Sequence, residues 1–336
     1  MLKIKDAGIR YGNQQILDAI SLEIGEAEIY VLMGPSGSGK TTLLRGIAGL
    51  TPLSEGTISW REDRKGQTGL VFQEPRLFPH MTVLENLAFG LRARGIPAKK
   101  RYQQVKQYLS ILQLEGLEDR FPHQLSGGQQ QRVSLGRVLV LEPDLLLLDE
   151  PFASLDAPLR IQLTEWLYSL QRQQGFSILW ITHYMDEAFS VADRVGLLMQ
   201  GRIIQEGKPL DFYQKPISEE AAAFFSLKNR FSREQWEKWV GKLPKEQDVH
   251  EMGWLPAESV KLSIEGSNIE NEDGYRLLDG RVIRVKYEPR MQTILVEVQS
   301  GEIEVQLPVW GTAPTVDTRV KVGIPVGKIV WYPKGN

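Results

Sequence analysis

The chain of 336 residues contains no cysteine. Disulfides, thiolate nucleophiles and cysteine-based zinc sites are therefore excluded, and a reducing compartment is allowed. Long apolar runs are missing too. The longest aliphatic stretches, such as LLLL at 145–148, are far too short to span a bilayer. The opening MLKIKDAGIRYG lacks the apolar core of a signal peptide. If the protein works at a membrane, it is expected to do so from the soluble side and through partners. No excess charge of either sign exists: 40 basic residues stand against 42 acidic ones, for a net charge of −2. That balance argues against a nucleic acid backbone as the main partner. Internal repeats and low-complexity segments are absent. What remains is an ordinary globular composition, 42% hydrophobic and 24% charged, of a length that suits two domains.

Residues 1 to about 230 alternate short aliphatic runs with helical patterns, as α/β proteins do. IYVLM (29–33) enters a glycine-rich turn and then the helical TTLLRGIAGL. TGLVFQ (68–73), DLLLLDE (144–150), FSILWITH (176–183) and RVGLLM (194–199) read as further strands, with MDEAFSVA helical between the last two. The unbroken aliphatic run at 145–148 suits a strand covered on both faces. Thr82 opens a helix, and Glu85 three residues on completes a capping box.

The character changes near 230–255, where FSREQWEKWVGKLPKEQDVHEM reads as a short helix and then a linker. Beyond it the apolar residues alternate: Val260, Leu262 and Ile264; Ile283, Val285 and Tyr287; Ile294, Val296 and Val298; Ile303, Val305 and Leu307; Val320, Val322 and Ile324. Short strands at this spacing predict a small β-barrel or sandwich. The expected division is an α/β domain at 1–232, a linker at 233–250 and a β-rich domain at 251–336.

GPSGSGKT at 34–41 fits the phosphate-loop pattern between a strand and a helix. Gly34, Gly37 and Gly39, with Pro35, Ser36 and Ser38 between them, let backbone N–H groups turn inward around phosphates. The helix amino terminus adds its positive end. Lys40 reaches the β- and γ-phosphates of ATP, and Thr41, followed by Thr42, offers a hydroxyl to Mg²⁺. Asp149 stands at a strand's carboxyl end, where α/β sheets bind ligands, and is expected to hold Mg²⁺ through water. Glu150 is placed to polarise the attacking water as general base.

Phosphate loop, Gln73, LSGGQ at 125–129, LLLLDE, SLD and a late histidine follow one another over roughly the first two thirds of the chain. This order of motifs resembles that of the ATP-binding cassette (ABC) ATPases. The resemblance implies an α/β P-loop NTPase with a helical signature subdomain, followed here by a small all-β barrel of the OB or TOBE kind. It implies that Tyr11 stacks on adenine, that Gln73 touches the metal or the water, and that His183 contacts the γ-phosphate. Asp156 matches the aspartate of the loop after the acidic pair. Ser126, Gly127 and Gly128 would reach the γ-phosphate held by another subunit, with the helix beginning near Gln129 aimed at the same anion. Three positions depart from the family pattern. Tyr184 replaces the usual aspartate after the histidine, GRVLV replaces an alanine-rich ARALA, and Ala27 replaces a glycine. None removes a phosphate, metal or base ligand, so an active ATPase is expected.

Within that family the chain has no sustained heptads, one cassette rather than two, and no fused membrane helices. LFPHMTVLENLAFGL (77–91) resembles the segment that bacterial importer ATPases present to their membrane subunits, and LPAESVKL (255–262) resembles the strand entry of TOBE domains. The resemblance implies an importer ATPase at the cytoplasmic face of a bacterial plasma membrane. It would act as a homodimer, with integral permease subunits contacted near 73–91 and a periplasmic or extracellular solute-binding protein. Ferric iron is the first expectation for the solute, with polyamine, sulfate, molybdate or sugar as alternatives. A soluble ATP-driven switch without a transport partner is the reading from another class.

Overall fold

The computed structural model describes residues 1–61, 67–241, 252–264, 274–288, 290–310 and 314–333. They form two compact units, Met1–Pro209 and Leu210–Asn336.

The first unit opens with β1 (Leu2–Tyr11), β2 (Gln14–Ile24) and β3 (Ile29–Met33), followed by α1 (Lys40–Ile47), β4 (Glu55–Trp60) and β5 (Thr68–Val71). Three helices come next: α2 (Val83–Ala93), α3 (Ala98–Ile111) and α4 (Gly127–Leu139). The rest of the unit is β6 (Leu145–Asp149), α5 (Ala157–Gln174), β7 (Ser177–Ile181), α6 (Met185–Val191), β8 (Arg194–Met199) and β9 (Arg202–Gly207). Six strands make one sheet in the order β5-β6-β7-β3-β8-β9, parallel except for β9. Strands β3 and β7 are buried along their whole length, as a sheet covered on both faces requires. A second, antiparallel sheet runs β2-β1-β4.

Leu43, Leu44 and Ile47 of α1 share one core with Leu2, Ile4 and Ile9 of β1 and with Leu145, Leu147, Leu179 and Ile181 of the parallel strands. Each such fully buried side chain contributes roughly 1.5–3 kcal/mol. The phosphate-loop helix is thus clamped between two sheets. The capping box at the start of α2 is formed as expected: Thr82 Oγ1 accepts from Glu85 N, and Glu85 Oε2 accepts from Thr82 N. Gly136 in GRVLV has a packing reason. A Cβ there would lie 2.3 Å from Leu112 Cδ1 and 2.6 Å from Leu87 Cδ2, so larger neighbours fill the space an alanine would need.

The parallel topology decides where the site lies. Strands β3, β5, β6 and β7 run in one direction, so Gly34, Gln73, Glu150 and His183, which follow them, all emerge at the same carboxyl edge.

The second unit contains α7 (Asp211–Gln214), α8 (Glu219–Phe224), β10 (Arg230–Ser232), α9 (Arg233–Trp239) and β11 (Met252–Trp254). After them come β12 (Lys261–Ile264), β13 (Tyr275–Tyr287), β14 (Met291–Val298), β15 (Gly301–Pro308), β16 (Arg319–Pro325) and β17 (Val330–Tyr332). A five-stranded antiparallel sheet, β12-β16-β13-β14-β15, and a three-stranded sheet, β10-β11-β17, enclose the core. The observed elements differ from the expectation at three points. The boundary expected at 232 falls inside this unit, and residues 233–239 form α9, which places Trp236 and Trp239 in the core, rather than a linker. Phe231, Trp236 and Trp239 are buried with Val296, Ile303 and Val322, and the Phe231 and Trp236 rings stack with centroids 5.5 Å apart. The part of the expected linker at 242–250 lies outside the described residues. The alternation Ile283, Val285, Tyr287 also slips. A register shift between Val282 and Arg284 makes Val282 the fully buried residue, while Tyr287 is 67% exposed.

Candidate functional site

The loop between β3 and α1 owes its path to its glycines. Gly34 has φ +152°, and a Cβ on it would lie 2.1 Å from the Leu198 carbonyl oxygen. Gly39, with φ +105°, stands at the N-cap of α1 against Leu17 of β2. Neither position accepts another residue without moving the sheet. The path turns Lys40 back over the loop, where its Nζ donates to the Gly34 and Pro35 carbonyls at 2.8 Å each. Burial pushes the Lys40 ammonium below its ordinary value, against the pull of Glu150 and Asp149. Ser38 is also buried, and its hydroxyl has no partner within the described protein. An ammonium held by two carbonyls and an unpartnered hydroxyl are the features of a loop that exchanges these contacts for those of an anion.

Thr41 Oγ1 donates to Asp149 Oδ1 at 3.1 Å, joining the first turn of α1 to the end of β6. Burial raises the Asp149 carboxyl above its usual range, and the Thr41 hydrogen bond opposes that rise. Glu150 follows with φ +48°, its N–H donating to the Ile181 carbonyl at 3.0 Å. That bent backbone aims its carboxylate across to the neighbouring strand's exit, where Oε2 lies 3.1 Å from His183 Nδ1. The sheet register, Asp149 beside Ile181, brings the two residues together.

The other expected residues are dispersed. Gln73 is exposed two positions beyond β5 and makes no hydrogen bond to Thr41 or Asp149. Tyr11 ends β1 and is 49% exposed. Asp156 caps α5 by accepting from Leu159 N at 3.0 Å. Ser126 caps α4, its hydroxyl accepting from Gln129 N while Gln129 Oε1 accepts from Ser126 N. The helix therefore starts at Gly127, earlier than the expected start near Gln129. A Cβ on Gly128 would lie 3.0 Å from Leu159, so this glycine also serves packing against α5 within the chain. No hydrogen bond joins 126–129 to the phosphate loop.

Three residues beside the site carried no motif of their own. Arg160 lies with its Cζ 3.8 Å from the centre of the Tyr184 ring, and Thr182 Oγ1 donates to Glu187 Oε2 at 2.5 Å. Only the departure at Tyr184 pointed towards this region.

Among the described residues no group of three or more histidines, aspartates and glutamates is arranged to hold a metal, and no helix is long and apolar enough to cross a membrane. The oxygen donors of Thr41 and Asp149 nevertheless suit a hard cation that keeps most of its own water.

Residues 17–153 match the family described as ABC transporter. The chain is 40% identical over 235 residues to the Fe(3+) ions import ATP-binding protein FbpC of Fusobacterium nucleatum, covering 68% of this chain and 63% of that one. It is 39% identical over 324 residues to the sulfate/thiosulfate import ATP-binding protein CysA of Vibrio cholerae, covering 90% and 85%. Two solved structures resemble it at 30% identity. The ATP-binding cassette MJ0796, in a dimeric post-hydrolysis state bound to ADP and Pi, matches with a TM-score of 0.55 over 62% of this chain and 99% of that one. The cbiO1 protein of Clostridium perfringens, part of the ABC transporter complex cbiONQ, matches with a TM-score of 0.59 over 68% and 95%. With its phosphate loop, acidic pair and histidine gathered at one sheet edge, the chain belongs to the ABC transporter family, among its importer-type ATP-binding proteins, and is an ATPase.

Proposed function

We propose that this chain powers solute uptake as the ATP-hydrolysing subunit of an importer. It works at the cytoplasmic face of the membrane as a head-to-tail dimer beneath separate permease subunits contacted near 73–91. A solute-binding protein delivers the cargo. The observation that carries the catalytic part is the 3.1 Å contact between Glu150 and His183, at the same sheet edge as the phosphate loop.

The chemistry is positioning and charge stabilisation. Lys40 leaves the Gly34 and Pro35 carbonyls for the β- and γ-phosphates, and Ser38 and the loop N–H groups take the remaining oxygens. Tyr11 stacks on the adenine. Glu150 accepts a proton from the attacking water as the bond from the γ-phosphorus to the bridging oxygen breaks, yielding ADP and phosphate. His183, held at Nδ1 by Glu150, offers Nε2 to the γ-phosphate. Thr41, Asp149 and Gln73 are the residues that would hold Mg²⁺, whose positive charge offsets that of the phosphate oxygens when it is bound. Ser126, Gly127, Gly128 and Gln129 complete the partner's site, and Asp156 sits in the adjoining turn.

Glu150→Gln is the direct test. It should bind ATP, stay trapped as a closed dimer and turn over little; near-normal turnover would overturn the general-base assignment. The solute is expected to be ferric iron, from the relative at 40% identity, while the relative aligned over 90% of this chain favours sulfate as a second reading. ATPase measurements on the reconstituted transporter with each solute discriminate the two. The β-rich second unit is the regulatory module in this reading. Intact complexes after substitutions across 73–91 would favour a soluble switch instead.

A further inference from the structure

The nucleotide chemistry leaves a group of side chains beside His183 without a role. The Tyr184 ring lies with its centroid 4.0 Å from that of the His183 imidazole. Arg160, in the first turn of α5, places its Cζ 3.8 Å from the Tyr184 ring centre, and its Nε is 3.7 Å from Glu187 Oε1. Thr182 Oγ1 donates to Glu187 Oε2 and accepts from the Tyr184 N–H at 3.0 Å. One hydroxyl thus ties together the two residues that flank His183. The carboxylate that orients this hydroxyl is itself buried and faces a guanidinium.

An imidazole standing beyond the end of a strand, with half its side-chain surface exposed, has several rotamers open to it. The one in the structure directs Nδ1 at Glu150 and leaves Nε2 for a phosphate. A ring alongside the imidazole narrows that choice, and a cation over the ring fixes the ring in turn.

We propose that Arg160, Tyr184 and Glu187 are positioning residues that hold His183 in register with Glu150, so that the helix capped by Asp156 governs the alignment of the hydrolytic pair. The inference rests on the assignment of Glu150 and His183 to hydrolysis. It gives the departure at Tyr184 a function: an aromatic shelf carried by Arg160.

The test uses the full-length chain. Tyr184→Leu and Arg160→Met should lower kcat by about tenfold, as expected for a misaligned catalytic group, while KM for ATP stays within about twofold. Tyr184→Phe and Arg160→Lys, which keep a ring and a cation in place, should recover turnover to within about threefold of the wild type. Nitrogen-15 NMR of the histidine rings, taken without ATP, gives a readout independent of hydrolysis. The wild type should show His183 protonated at Nδ1, and Tyr184→Leu a mixture of tautomers. Two results would sink the proposal: an unchanged His183 tautomer in both disruptive variants, or equal losses in kcat and ATP affinity, which indicate a merely structural contact. Near-normal turnover in Glu150→Gln strikes the hydrolytic assignment instead, and the nitrogen spectra still decide whether the cluster orients His183.

Discussion

His183 Nδ1 and Glu150 Oε2 lie 3.1 Å apart although 33 residues separate them in the chain, because β6 and β7 are parallel neighbours that end together. Each residue stands just beyond its strand, and the left-handed backbone of Glu150 completes the approach. The contact gives the histidine a defined tautomer and the carboxylate a defined direction. Removing the imidazole should leave nucleotide binding intact, since the phosphate loop makes its contacts independently. His183→Ala is expected to bind ATP within about threefold of the wild type and to lose at least about a hundredfold in kcat, as loss of an electrostatic stabiliser does. Equilibrium binding of a fluorescent ATP analogue, alongside steady-state turnover, reads both quantities.

Asp149 links the site to stability. Burial raises its carboxyl pKa, so in the nucleotide-free fold the charged form carries a penalty. The penalty is fully present above the raised folded pKa and is relieved as pH falls through it towards the unfolded value near 3.8. Asp149→Asn keeps an oxygen to accept from Thr41 and removes the charge. The variant should melt above the wild type at neutral pH, and the gap in Tm should close as the buffer is taken into the acid range. A gap that widened on acidification would contradict the sign.

Ala27 occupies a left-handed conformation, φ +52°, where the family pattern has glycine. A side chain there costs roughly 1–2 kcal/mol, of which glycine's greater freedom in the unfolded chain offsets part. Ala27→Gly is therefore expected to stabilise the protein by roughly 0.5–1 kcal/mol, without touching ATP turnover. Chemical denaturation of the two proteins measures the difference.

Trp239 tests the division of the chain. Its ring is buried in the second unit's core, and its Nε1 donates to the Gln299 carbonyl at 2.7 Å. Trp239→Ala should cost about 3–5 kcal/mol in that unit. A fragment of residues 210–336 should fold cooperatively, whereas 251–336, which lacks Phe231, Trp236 and Trp239, should not. Cooperative melting of the shorter piece would restore the boundary expected at 232.

Much of the site was legible because its chemistry is local. GPSGSGKT declares its loop through glycines at positive φ, two of which, Gly34 and Gly39, have no room for a Cβ; LLLLD declares a buried strand, and Thr82 with Glu85 declares a helix start. The second unit was less legible. Alternation located its strands, yet a single inserted residue near Val282 moved the buried face by one position. The α9 segment, polar by composition, hid two tryptophans that anchor a core.

Residues close in the chain settled which turns, caps and strands form, since backbone conformation and hydrogen bonding act over a few positions. The order in which strands lie side by side is a property of the whole packed sheet. That order brought Glu150 within reach of His183 and Thr41 within reach of Asp149. It also brought Arg160 over the Tyr184 ring, a contact between an α5 side chain and a loop after β7 that no local pattern encodes. Catalytic geometry is decided at this level because the distances that matter, near 3 Å, are set by how elements pack rather than by what each residue prefers.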